Sequence, residues 1–103
     1  GLYVSPAEVE AALISHEAVL EAAVVAKEDE RQLIKPLAYV VPRPGQNATP
    51  ELAAELQQIA GTRLAEYKRP RWVEFVDTLP TTATGKVQRF KLRQRSAEDQ
   101  GTS

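Results

Sequence analysis

The sequence predicts a small α+β domain, in which a short three-stranded sheet, or a hairpin plus one strand, packs with helices in two layers. Three observations predict it. Ser5-Pro6 and Thr49-Pro50 each open a stretch whose apolar residues recur at helical spacing. Short apolar runs at 19–26, 37–41 and 72–76 read as strands. A length of 103 residues fits one small domain with a modest core.

In the first helix, Ser5 can cap, Pro6 suits the first helical position and Glu8 completes a capping box. Val9, Ala12 and Leu13 then share one face. His16 falls near the end, where an imidazole favours the negative pole of the helix dipole, so a structural role outweighs a catalytic one. Val19 to Ala26 reads as a largely buried strand and Lys27 to Arg31 as a charged turn. Leu37 to Val41, bounded by Pro36 and Pro42, is a second strand that can pair with the first as a hairpin. A loop by composition follows at 42–47.

The second helix starts at Thr49-Pro50-Glu51, with Leu52, Leu56, Ile59 and Leu64 as its stripe and Glu55 and Gln57 or Gln58 facing out. Gly61 weakens it by about 1 kcal/mol relative to alanine. Tyr67-Lys68-Arg69-Pro70 is expected to end it, because proline disfavours helix at the preceding residue. In the third strand Trp72 shares a face with Glu74, and Val73 with Phe75. Phe90 to Arg95 reads as a short basic helix, and residues 96–103 as a frayed tail.

Composition narrows the function classes. No apolar run approaches the ~20 residues that span a bilayer, and no basic start followed by an apolar segment marks a secretory signal. The absence of cysteine removes disulfides and thiolate chemistry and is compatible with a cytoplasmic location. With a single histidine besides, a structural metal site is not expected. The chain holds no methionine and opens on Gly-Leu-Tyr-Val without a turn or cap, which reads as a domain cut from something longer. Residues 1–62 carry four basic and nine acidic side chains, whereas 63–95 carry nine basic and three acidic. That asymmetry points to an anionic partner for the C-terminal half, beside the blander reading of a solvated basic face.

The stretch from Leu79 to Arg89 is a polar loop with Gly85 and Lys86 near its tip, suited to meeting an anion. The nucleotide P-loop would need glycine at Pro80 and serine or threonine at Val87, so a self-contained nucleotide loop is rejected. Tyr67, Trp72 and Phe90 lie among basic residues, but so few aromatics make nucleic acid a minor alternative to core packing.

Three segments in order, Gly1 to Glu10, Tyr67 to Arg71, and Leu79-Pro80 with Thr84-Gly85-Lys86-Val87-Gln88-Arg89, resemble the C-terminal end of the adenylate-forming acyl-CoA synthetases. The family pattern is a proline, four variable residues, Gly-Lys, an apolar residue and an arginine soon after. Within the family the wording is closest to benzoate-type aromatic acid CoA ligases, from Glu66 to Trp72 and from Thr84 to Arg93. Thr81 departs from the lysine common after that proline, outside the essential pattern.

The resemblance implies a mobile C-terminal domain at 1–95 that closes on a large N-terminal domain missing from this chain. The implied reaction joins a carboxylate to the α-phosphate of ATP, then transfers the acyl group to coenzyme A. Lys86 would serve the first step, with Gly85 allowing the tight turn and Thr84 acting as a turn residue. Gly1 would lie beside the pantetheine tunnel, and Tyr67, Arg69 and Arg71 near the coenzyme A nucleotide. ATP and Mg2+ would be held mostly by the N-terminal domain, and the isolated chain would not catalyse. Acetylation would delete the charge of Lys86 and makes the loop a candidate regulatory target. The implied partners are that domain, a small carboxylic acid, ATP and coenzyme A, with no nucleic acid and no membrane. The alternatives are a binding or interaction module that kept the fold without catalysis, or the adenylation domain of a related enzyme that does not use coenzyme A.

Overall fold

A computed structural model describes residues 5–101, with side chains described as far as Arg95. Its elements in order are α1 (Pro6–Ile14), β1 (Val19–Glu28), β2 (Ile34–Pro42), α2 (Pro50–Arg63), a 3-10 turn (Glu66–Lys68), β3 (Trp72–Phe75) and α3 (Arg89–Gly101). The expected α+β domain with a three-stranded sheet is present, in the order β1-β2-β3.

β1 and β2 form the expected antiparallel hairpin, with Val24 opposite Ala38 and Ala22 opposite Val40. The turn is tighter than the charge pattern suggested, because β1 continues through Lys27 and Glu28. Asp29 makes it: its Oδ1 accepts the N–H groups of Arg31 and Leu33 at 2.9 and 3.0 Å. The Leu33 bond, foremost, holds the Asp29 carboxyl below the usual range. Gln32 takes the left-handed conformation, φ 66°.

Pro36, read as the strand boundary, lies inside β2 opposite Ala26. Its carbonyl accepts the Arg71 N–H at 2.9 Å. A strand residue aims N and O to the same side, so the ring nitrogen faces β3 and not β1. No hairpin hydrogen bond is lost there.

β3 pairs parallel to β2, from Leu37 opposite Trp72 to Val40 opposite Phe75. Parallel neighbours need a long crossover, here supplied by α2. β2 is thus the central strand with both faces covered. Accordingly Pro36 to Val41 are all buried, a continuous run and not an alternating one.

One face of the sheet (Ala22, Val24, Ala38, Val40, with Val73 and Phe75) packs on Val9 and Leu13 of α1 and Leu52, Leu56 and Ala60 of α2. The other face (Ala23, Val25, Leu37, Tyr39, Val41) is covered by Val76, Leu79 and Leu92, with Trp72 and Val87 at its margin. The helical layer expected on one side is therefore matched by a thinner cover on the other, which includes the root of the 79–89 loop.

Several local expectations change. Ser5 precedes α1, but its side chain makes no capping bond, and Glu8 pairs with Lys68 instead. Thr49 does cap α2, accepting the Leu52 N–H at 3.1 Å. That helix ends at Arg63, earlier than Tyr67 to Pro70, and the 3-10 turn occupies the gap. Leu52 and Leu56 are buried as expected, but Ala60 is buried in place of its neighbour Ile59, which is half-buried. Of Gln57 and Gln58 it is Gln58 that faces out, while Gln57 donates to the Pro70 and Arg71 carbonyls at 3.0 and 3.2 Å. His16 is structural as expected: Nδ1 accepts the Ala18 N–H, which leaves Nε2 to carry the proton toward Glu55, 3.4 Å away. α3 starts at Arg89 and runs on to Gly101, since no breaker intervenes in the stretch expected to fray.

Gly61 sits inside α2, and a Cβ built there would meet Glu66 Oε2 at 2.9 Å and Arg69 Cδ at 3.5 Å. The nearer atom ends a flexible side chain that is 77% exposed and can swing away. Gly61→Ala should therefore stabilise the domain by about 0.5–1 kcal/mol. A urea midpoint that stays level or falls would show that Glu66 cannot yield.

Candidate functional site

The loop around Lys86 is a small, well-bonded hairpin. Leu79 and Val87 root it in the lower apolar cluster. Above them the Pro80 carbonyl accepts the Gln88 N–H at 2.8 Å, and Thr81 pairs with Val87 across an antiparallel bridge. Thr82 donates to the Lys86 carbonyl at 2.8 Å, and Gly85 donates to the Thr82 carbonyl at 2.9 Å. This is the bond pattern of a three-residue hairpin loop closed by a left-handed residue.

Gly85 is that residue, with φ 88°. A Cβ there would meet nothing within 4 Å, so glycine is needed for its dihedral and not for space. The Thr84 hydroxyl lies 3.0 Å from that of Thr82, and Thr82 Oγ1 accepts the Lys86 N–H at 3.1 Å. Both backbone polar groups of Lys86 are thus tied to Thr82. Sequence reasoning placed Gly85 and Thr84 in support and missed Thr82. Its signal was a hydroxyl residue at the first position of a tight turn.

Behind the hairpin stands a second overlooked group. Glu10 leaves α1 on one side of the sheet and meets Arg89, the first residue of α3, coming from the other. Arg89 Nη2 donates to both carboxylate oxygens at 2.5 and 2.7 Å, and Nε to Oε2 at 3.1 Å. Oε2 also accepts the Val24 N–H at 2.8 Å, on the free side of the edge strand β1. Glu10 is the single buried charged residue among those described, and it is fully partnered.

The second group of candidates runs along 67–71. Tyr67 is half exposed, with Lys68 Nζ 5.7 Å from its ring centroid. Arg69 pairs with Glu66 at 3.0 Å and Arg71 with Glu30 at 3.4 Å. Arg71 also lies over Trp72, 5.7 Å from that ring. The structure brings Tyr67, Arg69 and Arg71 together on one exposed segment. Gly1 lies outside the described residues.

The 66–68 turn and the Lys86 hairpin belong to opposite sides of the sheet, while Arg71 lies over Trp72, which packs at the margin of the hairpin's own cluster. The 3-10 turn rests against α2, and Lys68 bonds Glu8 of α1, whereas the Lys86 hairpin is rooted in the cluster on the other face.

The charge asymmetry of the sequence resolves into specific pairs. Lys68, Arg69, Arg71, Arg89 and Arg95 each hold a carboxylate, three of them from the acidic first half: Glu8, Glu30 and Glu10. Lys86 is exposed and forms no ion pair among the described residues. No group of three or more histidine or acidic side chains that could hold a metal gathers there, and no helix is long and apolar enough to cross a membrane, again among the described residues.

Known proteins share this sequence and fold. The AMP-binding enzyme C-terminal domain family matches residues 8–86. A benzoate–CoA ligase of Thauera aromatica is 63% identical over 90% of this chain. Among solved structures, an acyl-CoA synthetase of Brucella canis superposes over 97% of the chain with TM-score 0.92 and 43% identity. A benzoate CoA ligase of Burkholderia xenovorans superposes over 88% with TM-score 0.82 and 54% identity. The chain spans 18% of the length of each of these three proteins.

Lys68 offers a pH test of the 67–71 segment. Its ammonium bonds both oxygens of Glu8, at 3.0 and 3.1 Å, and that bond raises its pKa above the ordinary 10.5. A raised folded pKa contributes stability that is complete below the unfolded value and disappears as pH rises through the folded one. Glu8→Gln should thus lower the urea midpoint at neutral pH, with the difference from the parent closing above about pH 10. A gap that persists at strongly alkaline pH would mean that the pair contributes nothing through its charge.

Proposed function

Because the chain belongs to the AMP-binding enzyme C-terminal domain family, we propose that it is the lid of an ATP-dependent carboxylic acid–CoA ligase and that Lys86 serves the adenylation step. The observation that carries the reading is the hairpin itself. It holds an exposed lysine, with no carboxylate partner among the described residues, on a backbone fixed by its own hydrogen bonds. Relatives named for benzoate favour an aromatic acid as substrate.

The chemistry asks for such a group. A substrate carboxylate is already ionised at neutral pH and needs no general base. Its difficulty is repulsion, since an anion must approach the α-phosphate of ATP. An ammonium touching both offsets that charge, and it does so best where it has not been neutralised by its own protein. Lys86 meets this condition, unlike five other basic residues of the same half.

The thioester step calls for the other side of the domain. Arg69 and Arg71 offer planar forks for the phosphates of coenzyme A, and Tyr67 a half-exposed ring for its adenine. Their partners Glu66 and Glu30 are 77% and 70% exposed, so these pairs are weak and exchangeable. The placement of the 66–68 turn and the Lys86 hairpin on opposite faces supports a lid that turns between the half-reactions. On this reading most of the ATP contacts, any Mg2+ and the acid pocket fall to the rest of the enzyme, for which residues 1–95 form the moving domain.

In the whole enzyme, Lys86→Ala should slow acyl-adenylate formation by about 100-fold or more. Conversion of supplied acyl-adenylate to thioester should keep its rate. Equal loss in both half-reactions would remove Lys86 from this role. In the same assay, replacing Arg69 and Arg71 with alanine should raise the KM for coenzyme A several-fold and leave adenylation alone. An unchanged KM would take both arginines out of the site.

A further inference from the structure

From the ion pair of the buried Glu10 with the half-buried Arg89 behind the hairpin we infer that Glu10 is a positioning residue for Lys86, acting through Arg89. The inference rests on the adenylation role proposed for Lys86. If Glu10 served only to satisfy the Val24 N–H, a neutral amide would suffice; a carboxylate buried to 8% exposure needs a cation, and Arg89 supplies it with a two-pronged grip.

That grip falls where it controls the loop. Lys86 is bonded through its backbone only to Thr82, so the hairpin tip moves as one piece. What ties the tip to the sheet is its stem: Val87 in the apolar cluster, Gln88 on the Pro80 carbonyl and Arg89 on Glu10. Leu79 and Val87 fix depth through non-directional packing. Arg89 adds directed bonds that fix rotation, through a planar fork that lysine cannot reproduce. The charge on the opposite side of the sheet thereby sets where the Lys86 ammonium stands, and a displacement near 1 Å can cost about 100-fold in rate.

The test compares half-reactions and thermal stability in the whole enzyme for Arg89→Met, Glu10→Gln, the double variant and Lys86→Ala. Arg89→Met should lower adenylation about 10- to 100-fold, keep thioester formation within about twofold, and lower Tm because Glu10 is left unpaired. The double variant leaves no buried charge, so its Tm should recover toward the parent while adenylation stays at least about tenfold down. Adenylation that recovers together with Tm would overturn the inference and leave the pair a purely structural one. So would parallel losses in both half-reactions. If Arg89→Met alone does not fold, Glu10→Gln and the double variant carry the same comparison. Adding Arg89→Met to Lys86→Ala should cost adenylation nothing further, since the arginine acts through the lysine. If Lys86→Ala leaves adenylation intact, the role of Lys86 itself fails; a loss in Arg89→Met would then lie elsewhere, and positioning of Lys86 is overturned with it.

Discussion

The part-buried contact between Glu10 and Arg89 joins residues 79 positions apart and passes around the open edge of the sheet. It bonds α1 directly to α3, whose apolar faces otherwise lie one on each side of β1 and β2. A carboxylate so placed must find a cation and a backbone donor, and each of its oxygens is used. The sheet supplies the surface on which the helices lie, and this pair fixes how the two covers are registered against each other.

Around that pair the domain separates two kinds of surface. One side is broad, with two helices, a capped entry at Thr49 and a half-exposed basic segment lying on top. The other is thin: Leu79, Val87 and Leu92 close the apolar face of β2, and Tyr39 reaches out of the sheet to the Leu92 carbonyl at 3.4 Å. A chemical group placed on the thin side stands close to the central strand, with little intervening structure to flex. A lid that must present one face and then the other gains from this arrangement, since each face can be built without disturbing the other.

Much of this was legible in the sequence, for identifiable reasons. The burial of Val9, Ala12 and Leu13, the Thr49 cap, the hairpin and the split of Trp72 from Val73 and Phe75 all follow from local periodicity, and local rules are what a sequence exposes. The role of Gly85 followed from turn chemistry. What stayed hidden depends on neighbours distant in the chain. Ser5 and Glu8 make a good capping box on paper, but Lys68, sixty positions away, offers Glu8 two bonds to an ammonium. Pro36 looked like a boundary until the position of β3 settled which side its nitrogen faces. Glu10 follows a buried valine in the helix and resembles any solvated glutamate. Nothing local distinguishes it, because its partners Val24 and Arg89 lie on another strand and another helix. The basic C-terminal half likewise suggested one electrostatic patch, whereas the fold brings acids from the first half to meet several of its charges.

The edge strand itself bears on association. Among the described residues β1 has no neighbouring strand on its outer side, and an unpaired row of N–H and C=O groups is a template for strands of other molecules. Here the register shifts between Val19 and Glu21, which bends one end of that row. Further along, the Glu10 carboxylate already occupies the Val24 N–H, with the Arg89 side chain lying beyond it. An incoming strand would have to displace this ion pair to add itself to the sheet. The group that orders the domain internally also makes its exposed edge a poor seed for aggregation.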